Sequence, residues 1–541
     1  MFLPSRAISA RLPRVSDRNK LNTRASGVVA VAVMCSRMLG LVREMLFAGL
    51  FGSGLMGIFT VAFRAPNLLR DLFAEGALST AFITVFSQKI EKEGNQSAWV
   101  LASKMMTLAA IFMSLVTVLG VIFSRPLIGI LAPGFEAADA EMTILLTRIM
   151  FPFILLVSLA ALVMGMLNAK NIFGIPALAS SFFNLGSIAG GAVFGWMLDP
   201  HFGQRALIGL AMGTLVGGLL QLAVQLPSLR KVGYAFRPDF HWRDPGVRKI
   251  LLLMVPSVIA ASAVQINVMV NSGFASFLGK EAVSWLNFSF RLMQLPLGVF
   301  GVAVATITLP VVSRIAAGTD RGQFGPTLGR AMRLAVFLTL PSAVGLYFLA
   351  RPIIRLIYER GEFHANDTLQ TGLALQCYAM GLVSYSCVKV LSPAFYAINK
   401  KWTPMFVSFG AIALNFGLNY LFIFHFDMQQ RGLALATAIS ATVNFLTLYA
   451  LMSGHTETLH TGRLLGTFLR CGLAATALGA VCALGAAYGN SWLASHVLWE
   501  RAVSLLGLIG LAALAYAGVC FLLRVEEVRD ASNIVLRKIR K

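Results

Sequence analysis

Ten basic residues fall inside, or at the ends of, long apolar stretches of this sequence: Arg37, Arg43, Arg64, Arg70, Lys104, Arg148, Arg291, Lys389, Arg470 and Arg501. A charge at the centre of a bilayer costs roughly 2.5–3.5 kcal/mol on insertion scales, so one retained there faces a wet cavity or a counter-charge. Lys104, Arg470 and Arg501 lie near stretch ends, where a long side chain reaches the interface. Arg37, Arg43, Arg64 and Arg291 do not. The guanidinium fork matches phosphate and carboxylate bidentately, so the chemistry these residues offer is anion binding. Acids offset part of the charge. At about 100° per residue, Arg37 and Glu44 share a helix face, as do Arg64, Asp71 and Glu75. The first two spans still carry four arginines against three acids, and Arg291 has no acid in its own span. Structural ion pairing is the competing reading of the same residues.

The elements that must hold these arginines follow from composition. The chain has 541 residues, 57% hydrophobic and 13% charged, with a net charge of +22. A soluble domain is about 45–50% apolar and about 25% charged. The excess of apolar residues excludes a disordered or nucleic-acid-binding protein despite the basic balance. About 14 apolar runs are long enough to span a bilayer as helices: 25–50, 55–87, 98–123, 142–167, 175–197, 206–227, 250–275, 282–312, 334–349, 368–396, 403–424, 432–452, 464–488 and 498–523. They lack strand alternation, so the expected fold class is an all-α polytopic membrane protein.

Basic residues in alternate connections set the orientation. One side carries 28, in the tails 1–24 and 525–541, Arg524, the connections 229–249 and 313–333, and at Lys89, Lys92, Lys170, Lys400, Lys401 and Arg463; the other carries seven. Both termini are therefore expected in the cytoplasm. No short apolar region with a cleavage site precedes the first span, which argues for an uncleaved tail over a secretory signal; a transit peptide is the weaker alternative. The six cysteines show no CxxC or Cys/His spacing and read as packing residues.

The chain also repeats itself. Arg125-Pro126 recurs as Arg351-Pro352, Arg205 as Arg431, Asn171 and Pro176 as Asn399 and Pro404, and Phe63-Arg64 as Phe290-Arg291, all at offsets of 226–228. Six spans per copy imply parallel repeats, a site between the halves and alternating access. The expected domains are a basic tail 1–24, a six-helix bundle 25–228, a basic linker 229–249, a second bundle 250–455, two extra helices 456–524 and a basic tail 525–541. Pro66 and Pro296 lie beside the buried arginines of equivalent spans, where each removes a backbone hydrogen bond and bends its helix.

The segments Ser36-Arg37-Met38-Leu39-Gly40-Leu41-Val42-Arg43-Glu44 and Phe63-Arg64-Ala65-Pro66-Asn67-Leu68-Leu69-Arg70, continuing into Phe73-Ala74-Glu75-Gly76-Ala77, resemble the signatures of the MurJ (MviN) lipid II flippases. So do the stretch from Arg291 to Val299 and that from Val388 through Lys389 to Tyr396. The likeness runs from about residue 25 to 524. The broader superfamily includes drug exporters and O-antigen flippases, which lack the paired PNLLR and FAEGA segments. The resemblance implies a carrier of undecaprenyl-diphosphate disaccharide-pentapeptide from the inner to the outer leaflet of the bacterial inner membrane. It implies that Arg37, Arg43, Arg64, Arg70 and Arg291 bind the diphosphate headgroup. Glu44, Asp71, Glu75, Pro66, Pro296 and Lys389 support or gate that site, and the last two spans form a groove for the lipid tail.

This sequence departs from the family in two places. The loop Gly52-Ser53-Gly54-Leu55-Met56-Gly57-Ile58 lacks the acid many members carry, and Phe290 stands where Asp often precedes the arginine. Sodium-binding positions of some relatives match Asn271, Asn415, Asn419 and Thr437, a carboxylate-free and therefore weak candidate site. Interhelical hydrogen bonding is the alternative role for these four. The expected activity is transport without covalent chemistry or a cofactor, with the membrane potential or sodium as the candidate drive. Rival readings are an exporter of another polyprenyl-linked oligosaccharide or of drugs, and a membrane enzyme on polyprenyl phosphates. The first calls for an acidic or apolar cavity. The second calls for clustered Asp/Glu or a His/Ser constellation, which the seven dispersed histidines do not supply.

Overall fold

The computed structural model describes residues 15–318, 321–456, 459–493, 495 and 497–528. Arg6, Arg11 and Arg14 of the first tail, and Arg537, Lys538, Arg540 and Lys541 of the last, lie outside the described residues. Among those described there are helices and no strands. Helix α1 (Val15–Leu69) continues through a π-helical stretch, Arg70–Leu78, into α2 (Ser79–Ile122). Then follow α3 (Ser124–Leu131), α4 (Ala137–Met150), α5 (Phe153–Ala169), α6 (Gly174–Leu198), α7 (Ala206–Ala223) and α8 (Leu226–Lys231). The second half holds α9 (Pro245–Ser276), α10 (Lys280–Pro296), a second π-helical stretch Leu297–Gly301, α11 (Val302–Ala317), α12 (Phe324–Phe348) and α13 (Ala350–Ile357). It closes with α14 (Ala365–Met380), α15 (Leu382–Ala397), α16 (Trp402–Phe424), α17 (Gln429–Ser453), α18 (Thr461–Tyr488), α19 (Asn490–Leu493) and α20 (Leu498–Leu522).

The fourteen expected segments are mostly helical, but 142–167, 206–227 and 368–396 each cross a turn between two helices. Among the described residues, 11 helices are long and apolar enough to cross a membrane, or up to 12 if α14 and α15, bent by 45°, form one span. Several of these exceed one crossing. Val31–Phe73 has 43 residues, about 64 Å of helix against a hydrocarbon core of about 30 Å. Gly52 breaks it with φ +67°, and Gly94 breaks α2 with φ +83°.

The repeat is legible in the backbone. Asn171 and Asn399, 228 residues apart, adopt φ 60° and 61°. Gly52 and Gly279, 227 apart, also share positive φ, as do Phe202 and Gln429. A positive φ interrupts regular helix, so the backbone breaks at matching positions in the two copies.

The chain divides into two compact units. One comprises the residues up to Glu44, Pro66–Ile122 and Arg148–Val258; the other comprises Met45–Ala65, Phe123–Thr147 and the residues from Ile259 onward. In the first, α2 packs on α5 through Phe82, Phe86, Leu162 and Met166, with Phe86 and Trp99 rings 5.5 Å apart. Helices α6 and α7 touch backbone to backbone: a Cβ on Gly213 would sit 2.2 Å from the Gly191 nitrogen. Small residues permit that approach, which lipid alone would not drive. In the second unit, α11, α12, α15 and α17 share a core around Met332, Leu391, Phe395 and Leu448. Helices α12, α18 and α20 share another, around Phe337, Leu478 and Tyr516.

Candidate functional site

In the first unit, Arg37 and Arg43 sit on the first arm of α1. Arg37 is exposed and makes no ion pair among the described residues, while Glu44 is buried. The face-sharing pair expected from their spacing is not formed. The Arg43 guanidinium lies 5.3 Å from the Phe183 ring centroid. Beside it, Asn184 Nδ2 donates to the Ser36 carbonyl at 3.0 Å, so α6 is seated against the arm that carries both arginines.

Arg70 and Asp71 open the first π-helical stretch. Arg70 Nη2 contacts Asp71 Oδ1 at 3.0 Å, and Asn67 Nδ2 donates to Asp71 Oδ2 at 3.4 Å. Asp71 is thus paired with its neighbour Arg70. The side chain of Glu75 lies outside the described residues. Lys104 is paired with Asp244 at 2.6 Å, and Arg148 is exposed.

In the second unit, Arg64 is half-buried and makes no hydrogen bond or ion pair among the described residues. It lies within electrostatic reach of the buried Tyr378 hydroxyl. Phe290, immediately before Arg291, packs edge-on against the same tyrosine with centroids 5.3 Å apart. Arg291 is half-buried on α10, and Lys389 on α15 is exposed. Pro66 is buried just before the first π-helical stretch, and Pro296 directly precedes the second. Both prolines therefore mark a local change of helical pitch, and such π-helical turns are frequent at functional sites.

The structure brings together the four polar residues matched on sequence. Asn419 Nδ2 donates to Asn271 Oδ1 at 2.8 Å and to Asn415 Oδ1 at 3.0 Å; Asn415 Nδ2 lies 3.5 Å from Thr437 Oγ1. Asn415, Asn419 and Thr437 are buried, and Asn419 Oδ1 is buried without a hydrogen-bond partner among the described residues. The four residues are thus joined by side-chain hydrogen bonds, and Asn419 Oδ1 is the acceptor left over among the described residues.

An apolar cavity of about 560 Å³ lies in the second unit between α12, α14, α15, α17 and α18, lined by Leu340, Tyr347, Met380, Phe445 and Phe468 among others. Helix α18 contributes to it and α20 does not. Sequence reasoning missed a further polar cluster centred on Asp367. Its carboxylate accepts from Ser53 Oγ at 2.6 Å, from Trp285 Nε1 at 2.8 Å and from the His364 backbone N–H at 2.9 Å. Only the last contact has a sequence signal, an acid three residues into a helix start.

The family model described as "Lipid II flippase MurJ" matches residues 47–502. A "Probable lipid II flippase MurJ" of Vibrio cholerae is 34% identical over 529 residues, covering 94% of this chain and 98% of the relative. A "Lipid II flippase MurJ" of Burkholderia cenocepacia is 35% identical, covering 79% and 83%. Among solved structures, "Lipid II flippase MurJ, inward closed conformation" superimposes with a TM-score of 0.73 at 26% identity, covering 95% of this chain and 99% of that one. An inward-facing multidrug transporter of the MATE family matches at TM-score 0.65 and 16% identity, a likeness of fold alone.

Proposed function

The chain belongs to the MurJ family of lipid II flippases, and from that premise we propose how its residues handle the substrate. The protein flips lipid II, the lipid-linked precursor of peptidoglycan, in the bacterial inner membrane. In our reading the movement is from the cytoplasmic to the periplasmic leaflet by alternating access of the two repeats, bundles 25–228 and 250–455, with both termini cytoplasmic.

Arg37, Arg43, Arg64, Arg70 and Arg291 bind the diphosphate headgroup. The observation that carries this is that Arg37 and Arg64, both within spans, make no ion pair among the described residues. A guanidinium in such a place gains most from an arriving anion. Asp71 positions Arg70 through their 3.0 Å contact, while Glu44, Glu75, Lys389 and the two prolines serve as supporting or gating positions. The polyprenyl tail, which needs no polar path, lies against the last two spans; the cavity on α18 is of the apolar character it requires.

Asn271, Asn415, Asn419 and Thr437 would hold a sodium ion through neutral oxygens only. Without a carboxylate the attraction is weak, so occupancy would track sodium concentration.

The test is complementation of a flippase-depleted cell. Arg37→Ala and Arg291→Ala are each expected to insert at normal levels and fail to restore growth. Normal growth with either variant would refute the headgroup assignment. A drug-exporter reading calls instead for drug resistance that depends on this chain.

A further inference from the structure

We propose that the segment joining the two repeats is a docking surface for anionic phospholipid at the inner face of the membrane. It is built as follows. After α8, Gly233 (φ +85°) reverses the chain, and residues 234–244 run back along α2. The Tyr234 ring lies 5.3 Å from Trp99, and its hydroxyl is 3.2 Å from Ser103 Oγ. The Asp239 backbone N–H donates to Thr107 Oγ1 at 3.2 Å, and Lys104 holds Asp244 at 2.6 Å. The segment is thereby pinned to the turns of α2 where the third expected span begins.

Fixing the backbone in this way sends a specific set of side chains outward. Phe236, Phe240 and Trp242 are 52%, 63% and 61% exposed. Arg230, Lys231, Arg237, Arg243, Arg248 and Lys249 are exposed as well, and none of them forms an ion pair among the described residues. Both acids of the segment are used internally, Asp244 by Lys104 and Asp239 by His241. The Arg243 guanidinium lies 5.0 Å over the Trp242 ring.

Three large aromatic side chains held out of a fixed loop are a poor arrangement in water. They suit the headgroup layer, where amphipathic rings anchor and cations meet lipid phosphates. Charge complementarity selects an anionic lipid over a zwitterionic one. The assignment to the inner leaflet rests on the orientation read from the basic connections.

The experiment uses the full chain with Cys35→Ser and Phe240→Cys, labelled at position 240 with the fluorophore NBD. It is reconstituted in vesicles of phosphatidylethanolamine with or without phosphatidylglycerol. The expected result is a blue-shifted emission only with phosphatidylglycerol, reversed by salt. Replacing both Arg237 and Arg243 by Gln should weaken the phosphatidylglycerol response about 25-fold, taking about fivefold per surface cation. Equal emission in the two vesicle types, or an unchanged response in the double variant, would overturn the docking surface. Membrane-impermeant dithionite added outside right-side-out vesicles reads the leaflet separately. Protection of the label supports the inner face, and its destruction overturns that part of the proposal. Lipid II transport measured on the same vesicles keeps either failure distinct from a failure of the flippase reading.

Discussion

Ser53 Oγ donates to Asp367 Oδ1 at 2.6 Å, joining the turn after the first expected span to the start of α14, 314 residues away. Around this bond, Ser284 Oγ donates to the Ser53 carbonyl at 2.6 Å and the Glu362 N–H donates to the Gly49 carbonyl at 2.9 Å. Lys280 contacts Asp139 at 3.0 Å. Asp367 is only 8% exposed, so its carboxylate depends on these donors. Hydrogen bonds to charged groups contribute about 1.5–3 kcal/mol each, and orphaned buried donors cost more than a lost bond alone. Asp367→Ala is expected to lower stability by at least that amount and Asp367→Asn by less. Thermal unfolding of the detergent-solubilised protein reads both.

Replacing Asn419 by Ala removes the donor shared by Asn271 and Asn415. The buried Asn415 Oδ1 and the half-buried Asn271 Oδ1 lose that donor, at a cost of about 1–3 kcal/mol. Asn419→Asp supplies the carboxylate that the cluster lacks and should make transport respond to sodium more steeply than in the parent chain. Initial flipping rates across a sodium series decide this; parallel curves would separate the cluster from any ion role.

Helices α6 and α7 leave no room for a methyl group at Gly213. The added carbon of Gly213→Ala would meet the Gly191 backbone at 2.2 Å, so the helices must separate. Overpacking of this kind costs typically about 1–3 kcal/mol. A lowered melting temperature is expected, and an unchanged one would contradict the close packing.

An anionic headgroup leaving a negative interior moves down the electrical gradient. One charge crossing 100 mV is worth about 2.3 kcal/mol, close to a fiftyfold bias. Collapsing the potential in proteoliposomes should slow net outward flipping; an unchanged rate would remove the potential as a drive.

Docking of the inter-repeat segment should survive neutral pH and fail in acid. Burial works against the Asp244 carboxylate, yet the Lys104 ammonium and the Gly246 N–H outweigh it and hold its carboxyl below the usual range. Asp239 is held low by the His241 N–H. Glu93 on α2, held low by Lys89, also lies within electrostatic reach of Asp244. A depressed folded value means that the stabilisation is complete above the ordinary carboxylate range near 4 and is lost as pH falls through the lower folded value. The NBD signal at position 240 should therefore fall away as the pH drops below about 4.

The sequence by itself determined the fold class, the family and the odd placement of the arginines. Those depend on hydrophobic run length, on charge kept where lipid penalises it, and on short motifs, all local properties of the chain. Even the repeat was visible, because equivalent turns need the same left-handed residues, as at Asn171 and Asn399. Tertiary structure decided which charges pair. Helix periodicity put Arg64 on a face with Asp71, but Asp71 is paired with its neighbour Arg70, and Arg64 makes no ion pair among the described residues. Tertiary structure also gave Lys104 to Asp244, gathered Asn271, Asn415, Asn419 and Thr437 from three helices, and set Ser53 against Asp367. Pairings across 140 to 314 residues leave no periodic trace in a sequence, because they arise only when packed helices bring remote polar groups within about 3 Å of each other.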